Sequence, residues 1–271
     1  MSTSQLGQAQ AIEYLRSLYA SVEVDEHGNA VKVRWGHHCT VIDTGLESLS
    51  KLTTLIELEL AQMTDARLAY LSRLVNLKRL SFHAPAASEA SRITDNGLLY
   101  LTPLVNLEHL DLGNFAKITD TGLPYLLNLK KLQFLNLNGI SLVTVKGLEQ
   151  LKGLSELRYL GVMSTLSLEY VQHFPKLEIV YAWDKNDSEI QYLETLNNLQ
   201  ELYIACSTFD KILEITDLSV KTLIKLKSLK ILYLWDTKIS EGGLRQIQNA
   251  LPNCEIDTGA IKEKMAEGSK V

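Results

Sequence analysis

The stretch ITDTGLPYLLNLKKLQFLNL, residues 118–137, carries two patterns of different period. It closes as L-x-x-L-x-L on Leu132, Leu135 and Leu137, and the alternation in its second half has the period of a β-strand. Ahead of that, Thr119 suits a helix N-cap and Asp120 suits the positive end of the helix dipole. Leu123, Leu126 and Leu127 then follow at the i, i+3, i+4 spacing of an inward helix stripe. The stretch therefore predicts a short helix, a turn and a strand.

Both patterns recur along the chain. L-x-x-L-x-L, with conservative replacements, begins at Leu55, Leu77, Leu107, Leu132, Leu157, Leu177, Leu199 and Leu229, at intervals of 20 to 30 residues. The helix signature returns as ITDNGLLYL at 93–101, VTVKGLEQL at 143–151 and ISEGGLRQI at 239–247. A unit that cannot bury its own apolar face must stack on its neighbours, so the repeats predict a solenoid. Its expected class is α/β, a right-handed horseshoe with a parallel concave β-sheet and convex short helices.

Four segments follow from this reading. Residues 1–9 are expected to be disordered. Residues 10–54 form an N-terminal cap: an amphipathic helix at 10–20, a hairpin of Val22–Val24 and Val31–Trp35 around Asp25–Asn29, and a degenerate first helix in VIDTGLESL at 41–49. Residues 55–253 hold about eight repeats. Residues 254–271 give a last edge strand at Cys254-Glu255-Ile256 and a frayed tail. Ala84–Arg92 and Thr208–Glu214 read as insertions after a strand, on one edge of the concave face.

The T-D-x-G-L-x-x-L units and the stretch TKISEGGLRQIQNALPNCEI resemble bacterial leucine-rich-repeat proteins of the kind abundant in planctomycetes. The repeats are also similar to those of F-box substrate adaptors. The resemblance covers residues 30–256 and implies the leucine-rich-repeat solenoid. That scaffold serves many unrelated binding tasks, so fold alone names no partner.

Composition narrows the classes of function. The formal net charge is −5, which disfavours a phosphate backbone as partner. Three cysteines, Cys39, Cys206 and Cys254, do not make a disulfide framework and favour a reducing compartment. The opening MSTSQLGQAQAIEYLRSLYA lacks a basic segment followed by an apolar one, and no long apolar run follows. The expectation is a cytoplasmic bacterial protein that contacts neither membrane nor nucleic acid.

Positions 3, 5 and 7 of L-x-x-L-x-L-x should stand on the concave face, and equal positions in successive repeats should form lateral rows. Position 3 runs Glu57, Arg79, His109, Phe134, Tyr159, Ile179, Glu201, Ile231. Position 5 runs Glu59, Ser81, Asp111, Asn136, Gly161, Tyr181, Tyr203, Tyr233. Position 7 runs Ala61, His83, Gly113, Asn138, Met163, Trp183, Ala205, Trp235. The N-terminal rows are charged and polar, the C-terminal rows aromatic and apolar. Tyr and Trp dominate binding hot spots, so this segregation predicts a protein partner on the concave face. The residues expected to meet it are Phe134, Tyr159, Met163, Tyr181, Trp183, Tyr203, Tyr233 and Trp235, with Arg79, His109 and Asp111 as a polar contact patch. Ala205 between two tryptophans leaves a slot about 10 Å wide by strand spacing. Aromatics also suit a pleated surface for structural reasons alone. The same patch could mediate self-association in a scaffold that is otherwise a monomer, or take a small apolar or glycan ligand.

Catalytic constellations are scarce. The chain has no GxSxG, Walker A sequence, HExxH or CxxC. Adjacent residues on an extended segment point opposite ways, so His37-His38-Cys39 is a poor preformed metal site. His83 and His109 are offset by about 13 Å. Glu57 and Glu59 stand about 7 Å apart with nothing nearby to suggest a sugar cleft. Cys206 has no histidine neighbour in the rows, and Cys254 reads as buried. No enzyme activity, metal or cofactor is expected.

Overall fold

The computed structural model describes residues 3–36, 40–83, 92–208 and 212–259. His37-His38-Cys39, most of the Ala84–Arg92 insertion, the middle of Thr208–Glu214 and the tail from residue 260 lie outside the described residues. The chain forms two compact units, Met1–Leu157 with Gly161–Met163 and Arg158–Leu160 with Ser164–Val271.

In the first unit the helix Thr3–Ser17 precedes the hairpin β1 (Ser21–Val24) and β2 (Ala30–Trp35), which pair antiparallel. Asp25 Oδ1 closes the turn by accepting from the backbone N–H of His27 and of Asn29, and Gly28 supplies the positive φ of 79° that the turn requires. The helix begins at Thr3, inside the 1–9 stretch expected to be disordered. The reason is an apolar stripe one turn longer than it reads by hydrophobicity: Gln8 is buried on the face of Ala11, Ile12 and Leu15. Its amide donates to Thr54 Oγ1 at 2.8 Å, and Thr54 Oγ1 donates to the Ala30 carbonyl at 2.9 Å, so the buried polar group is satisfied.

Strands β3 (Glu57–Ala61), β4 (Arg79–His83), β5 (His109–Asp111) and β6 (Phe134–Asn136) follow, each parallel and in register with the one before, starting from β2. In the second unit, Tyr159 of β7 (Tyr159–Gly161) pairs with β8 (Ile179–Trp183). Strands β9 (Glu201–Ala205), β10 (Ile231–Leu234) and β11 (Glu255–Asp257) continue in chain order, all parallel. The expected parallel sheet is thus edged by one antiparallel strand, β1.

Positions 1, 4 and 6 fill the core. Leu55, Leu58 and Leu60 in one repeat and Leu199, Leu202 and Ile204 in another are almost completely buried. Each such side chain contributes about 1.5–3 kcal/mol by leaving water. Five strands are followed by a residue of positive φ immediately after position 7, at Gln62, Asn114, Gly139, Asp184 and Asp236, so one turn geometry recurs there.

The helix signature does more than start helices. Thr94, Thr119 and Thr144 do cap their own turns, accepting from the N–H of Asn96, Thr121 and Gly147. The aspartate beside each cap, however, reaches the next repeat. Asp65 accepts from the N–H and Oγ1–H of Thr94 at 2.8 and 2.7 Å. Asp95 does the same for Thr119, Asp120 for Thr144, Asp187 for Thr216 and Asp217 for Ser240. This also explains the glycine of T-D-x-G. A Cβ at Gly97, Gly122, Gly147 or Gly243 would collide with Oδ1 of Asp65, Asp95, Asp120 or Asp217.

Candidate functional site

On the second unit the outward side chains form rows across paired strands. Tyr181, Tyr203 and Tyr233 are register partners on β8, β9 and β10. Their rings stack, with centroids 4.6 Å apart between Tyr181 and Tyr203 and 4.5 Å between Tyr203 and Tyr233, at interplanar angles of 17° and 13°. Parallel strands in register bring equal positions to about 4.8 Å, the natural spacing of offset-stacked rings. The stack is therefore a product of the repeat itself.

The other aromatics extend it. Trp183 lies parallel to Tyr181 at 6.4 Å, Tyr159 meets Tyr181 edge-on at 6.2 Å, and Trp235 meets Tyr233 edge-on at 5.4 Å. Tyr181 remains 39% exposed, and the other rings are half-buried. Tyr203 donates its hydroxyl hydrogen to Glu201 Oε2 at 2.7 Å. That bond, then burial, then the charge of Glu201 raise the Tyr203 hydroxyl above the ordinary tyrosine range; burial, then Glu201, raise that of Tyr181. Both phenols stay neutral donors.

The expected slot over Ala205 is closed. Ala205 is only 2% exposed, although it is the register partner of Trp183 and the backbone N–H of Trp235 donates to the neighbouring Ile204 carbonyl. Strand spacing fixes where side chains start and not where they lean, so a small residue at position 7 need not leave an open slot. Beyond β11 the chain turns against the tryptophan: a Cβ at Gly259 would stand 2.9 Å from Trp235 Cδ1. The Trp235 Nε1–H is buried there and has no hydrogen-bond acceptor among the described residues.

The first unit carries a different outward face. Arg79 and His109 are register partners, as are His109 and Phe134. The His109 ring lies flat on Phe134 at 4.0 Å and 8°. Burial, then the Arg79 charge, hold its pKa below the ordinary histidine value, so it is neutral near pH 7. Asp111 Oδ1 accepts from Gly113 N–H at 2.8 Å and from Asn136 Nδ2 at 2.9 Å. Lys32 pairs with Glu57 at 2.5 Å and Arg34 with Glu59 at 3.1 Å. Met163 is half-buried. Among the described residues no group of three or more His, Cys, Asp or Glu is placed to hold a metal ion. Cys206 donates to Asp184 Oδ1 at 3.3 Å, and Cys254 is buried.

No family model matches the chain, and no curated protein sequence matches it. Solved structures do. Internalin C2 from Listeria monocytogenes is 21% identical with a TM-score of 0.46, covering 92% of each chain. A leucine-rich-repeat protein of Leptospira interrogans is 17% identical with a TM-score of 0.46, covering 78% of this chain and 56% of that one. TLR13, in its complex with ssRNA13, is 20% identical with a TM-score of 0.57, covering 81% of this chain and 31% of that one. The chain thus spans about a third of TLR13 and little over half of the Leptospira protein. Together with the period and register of its strands, the likeness to TLR13 decides the fold. The chain is a leucine-rich-repeat solenoid.

Where strand register is described within each unit, residues of positions 3 and 5 fall in the rows that the sequence spacing predicts. What the sequence did not single out is Glu201, a position-3 residue set between Ile179 and Ile231 in register. Its signal was present as the one acidic member of an otherwise apolar stretch of its row. Gly259 on Trp235 had no sequence signal.

Proposed function

We propose that the chain is a non-enzymatic interaction module that binds a partner protein through the outward sheet face of its second unit. The Tyr181–Tyr203–Tyr233 stack carries this reading. Rings already held by their neighbours lose little freedom on binding and offer large apolar area with a polar tip. A face of this kind on a sheet suits a hot-spot surface. Tyr159, Trp183 and Trp235 belong to the same reading, and Phe134 and Met163, with the polar residues Arg79, His109 and Asp111, are read as separate contact residues on the first unit. The leucine-rich-repeat fold is broadly a binding scaffold. The closed position at Ala205 argues against a small ligand in a walled slot. Acidic surroundings argue for protein over nucleic acid. No described helix is long and apolar enough to cross a membrane. The T-D-x-G-L units support a bacterial, planctomycete-like repeat protein, and the sparse cysteines a cytoplasmic one.

The test is affinity capture from native lysate with the wild type and a Tyr203→Ala/Trp235→Ala variant, with retained proteins identified by mass spectrometry. A protein held only by the wild type supports the reading. Identical captures by a folded variant move the binding surface elsewhere. Light scattering over a concentration series separates self-association, which should require the same two aromatics.

A further inference from the structure

The outward rows of the second unit contain charge of one sign only. Among the described residues they hold Glu201 and Glu255 at position 3 and Asp257 at position 5, and no lysine or arginine. The basic side chains bordering the face are engaged elsewhere. Arg158 pairs with Glu178, Lys230 donates to Gln200 Oε1 at 2.7 Å, and Lys238 pairs with Glu214. Lys185 is buried and donates to the carbonyls of Ser164 and Leu166.

Glu201 is the pivotal member. It is half-buried, flanked by Ile179 and Ile231, and one oxygen accepts from Tyr203. No cation pairs with it among the described residues. Any partner that covers the tyrosine stack also removes water from this carboxylate. A carboxylate buried without a cation is strongly unfavourable, so a partner that fits must bring one. Tyr181 and Tyr233 cover both faces of the Tyr203 ring, so its hydroxyl edge is what lies beside Glu201, and the planar guanidinium can meet that carboxylate with two donors.

From this we infer that the partner presents an arginine-bearing, basic segment to the second unit, with a guanidinium seated on the Glu201 carboxylate beside the Tyr203 hydroxyl. The inference rests on the binding face proposed above and specifies the chemistry of what binds there. Glu255 and Asp257 on the edge strand supply longer-range attraction to the same segment.

The probe is the capped peptide acetyl-Gly-Arg-Gly-Arg-Gly-amide, with a counterpart in which citrulline replaces arginine, keeping shape and removing charge. Binding is read by calorimetry and tryptophan fluorescence on the full chain. The arginine peptide should bind at least about tenfold more tightly than the citrulline peptide, by the strength of charge-assisted hydrogen bonds to a half-buried carboxylate. Salt should reduce that advantage. Glu201→Gln should shrink it to about twofold or less with unchanged thermal stability, whereas Tyr203→Phe, which keeps the ring stack and frees the second carboxylate oxygen, should leave it at about tenfold or more. Equal binding of the two peptides, no binding of the arginine peptide up to about 10 mM, or an arginine advantage untouched by Glu201→Gln would each overturn the inference. The binding face stands or falls separately: a partner captured through Tyr203 and Trp235 but indifferent to Glu201→Gln sinks only the arginine.

Discussion

The sheet faces of the two units are built on the same backbone and spend their outward positions differently. On the first, charges are answered locally: Lys32 pairs with Glu57, Arg34 with Glu59, and Asp111 accepts from the Asn136 amide. On the second, rings answer rings and Glu201 has only a tyrosine hydroxyl. A face whose charges are paired internally presents little that a partner can improve. A face of stacked aromatics around an unpaired carboxylate presents both area and a demand. The repeat supplies the spacing, and the side chain at positions 3 and 5 decides whether a rung is closed or open for business with another molecule.

The largest expected effect tests whether the two units differ only on the outside. Leu58→Ala and Leu202→Ala remove fully buried position-4 side chains, one from each unit. Each should cost about 2–5 kcal/mol in chemical denaturation; a cost confined to one unit would break the equivalence of their interiors. Next comes the difference between the faces. Tyr203→Ala/Trp235→Ala should weaken partner binding by at least about 2 kcal/mol, read by titration with the captured protein, whereas Arg79→Ala should cost less than about 1 kcal/mol. A dominant Arg79 would reverse the assignment of the two faces.

The aspartate ladder should behave alike in both units. Asp95→Ala and Asp187→Ala each leave threonine donors unanswered and should cost about 1–3 kcal/mol by urea denaturation. Burial pushes both carboxyls up, but hydrogen bonds from Thr119 and Thr121, and from Ser219 and Thr216, outweigh it and leave both below the ordinary value of 3.8. Depressed folded values mean that the stabilisation is present above pH 3.8 and is lost as pH falls through the folded values. The urea midpoint of the wild type should therefore drop below pH 3.8, and less so in the alanine variants. The smallest effect is expected at Lys32→Ala, where an ion pair in partial contact with water should contribute about 0–1 kcal/mol.

The period of the leucines made the strands and their register legible, because a one-residue slip would turn every leucine outward. The tyrosine row was legible for the same reason. The closure over Ala205 was not, since lateral spacing says nothing of rotamers. The N-terminal helix was read short because Gln8 looks polar until Thr54 is placed beside it. Asp120 was read as serving its own helix, and only the stacked repeats reveal that it serves Thr144. His109 on Phe134 follows from the position-3 row, but the flat stacking required the structure.

The carboxylate over each glycine has a consequence for how such a chain can be edited. After Asp43, which instead pairs with Arg67, aspartate in one repeat and a small residue in the next form a two-letter grammar. Asp65, Asp95, Asp120 and Asp217 precede Gly97, Gly122, Gly147 and Gly243, and Asp187 precedes Ser219. Where Val145 and Leu168 stand in the aspartate position, the following repeats carry Tyr170 and Glu189 in place of glycine. Repeats are thus words with a permitted order. Excising the one that contains Val145 would set Asp120 before Tyr170, a ring where only a hydrogen atom fits, while excising the one that contains Asp95 would set Asp65 before Gly122 and leave the sentence grammatical.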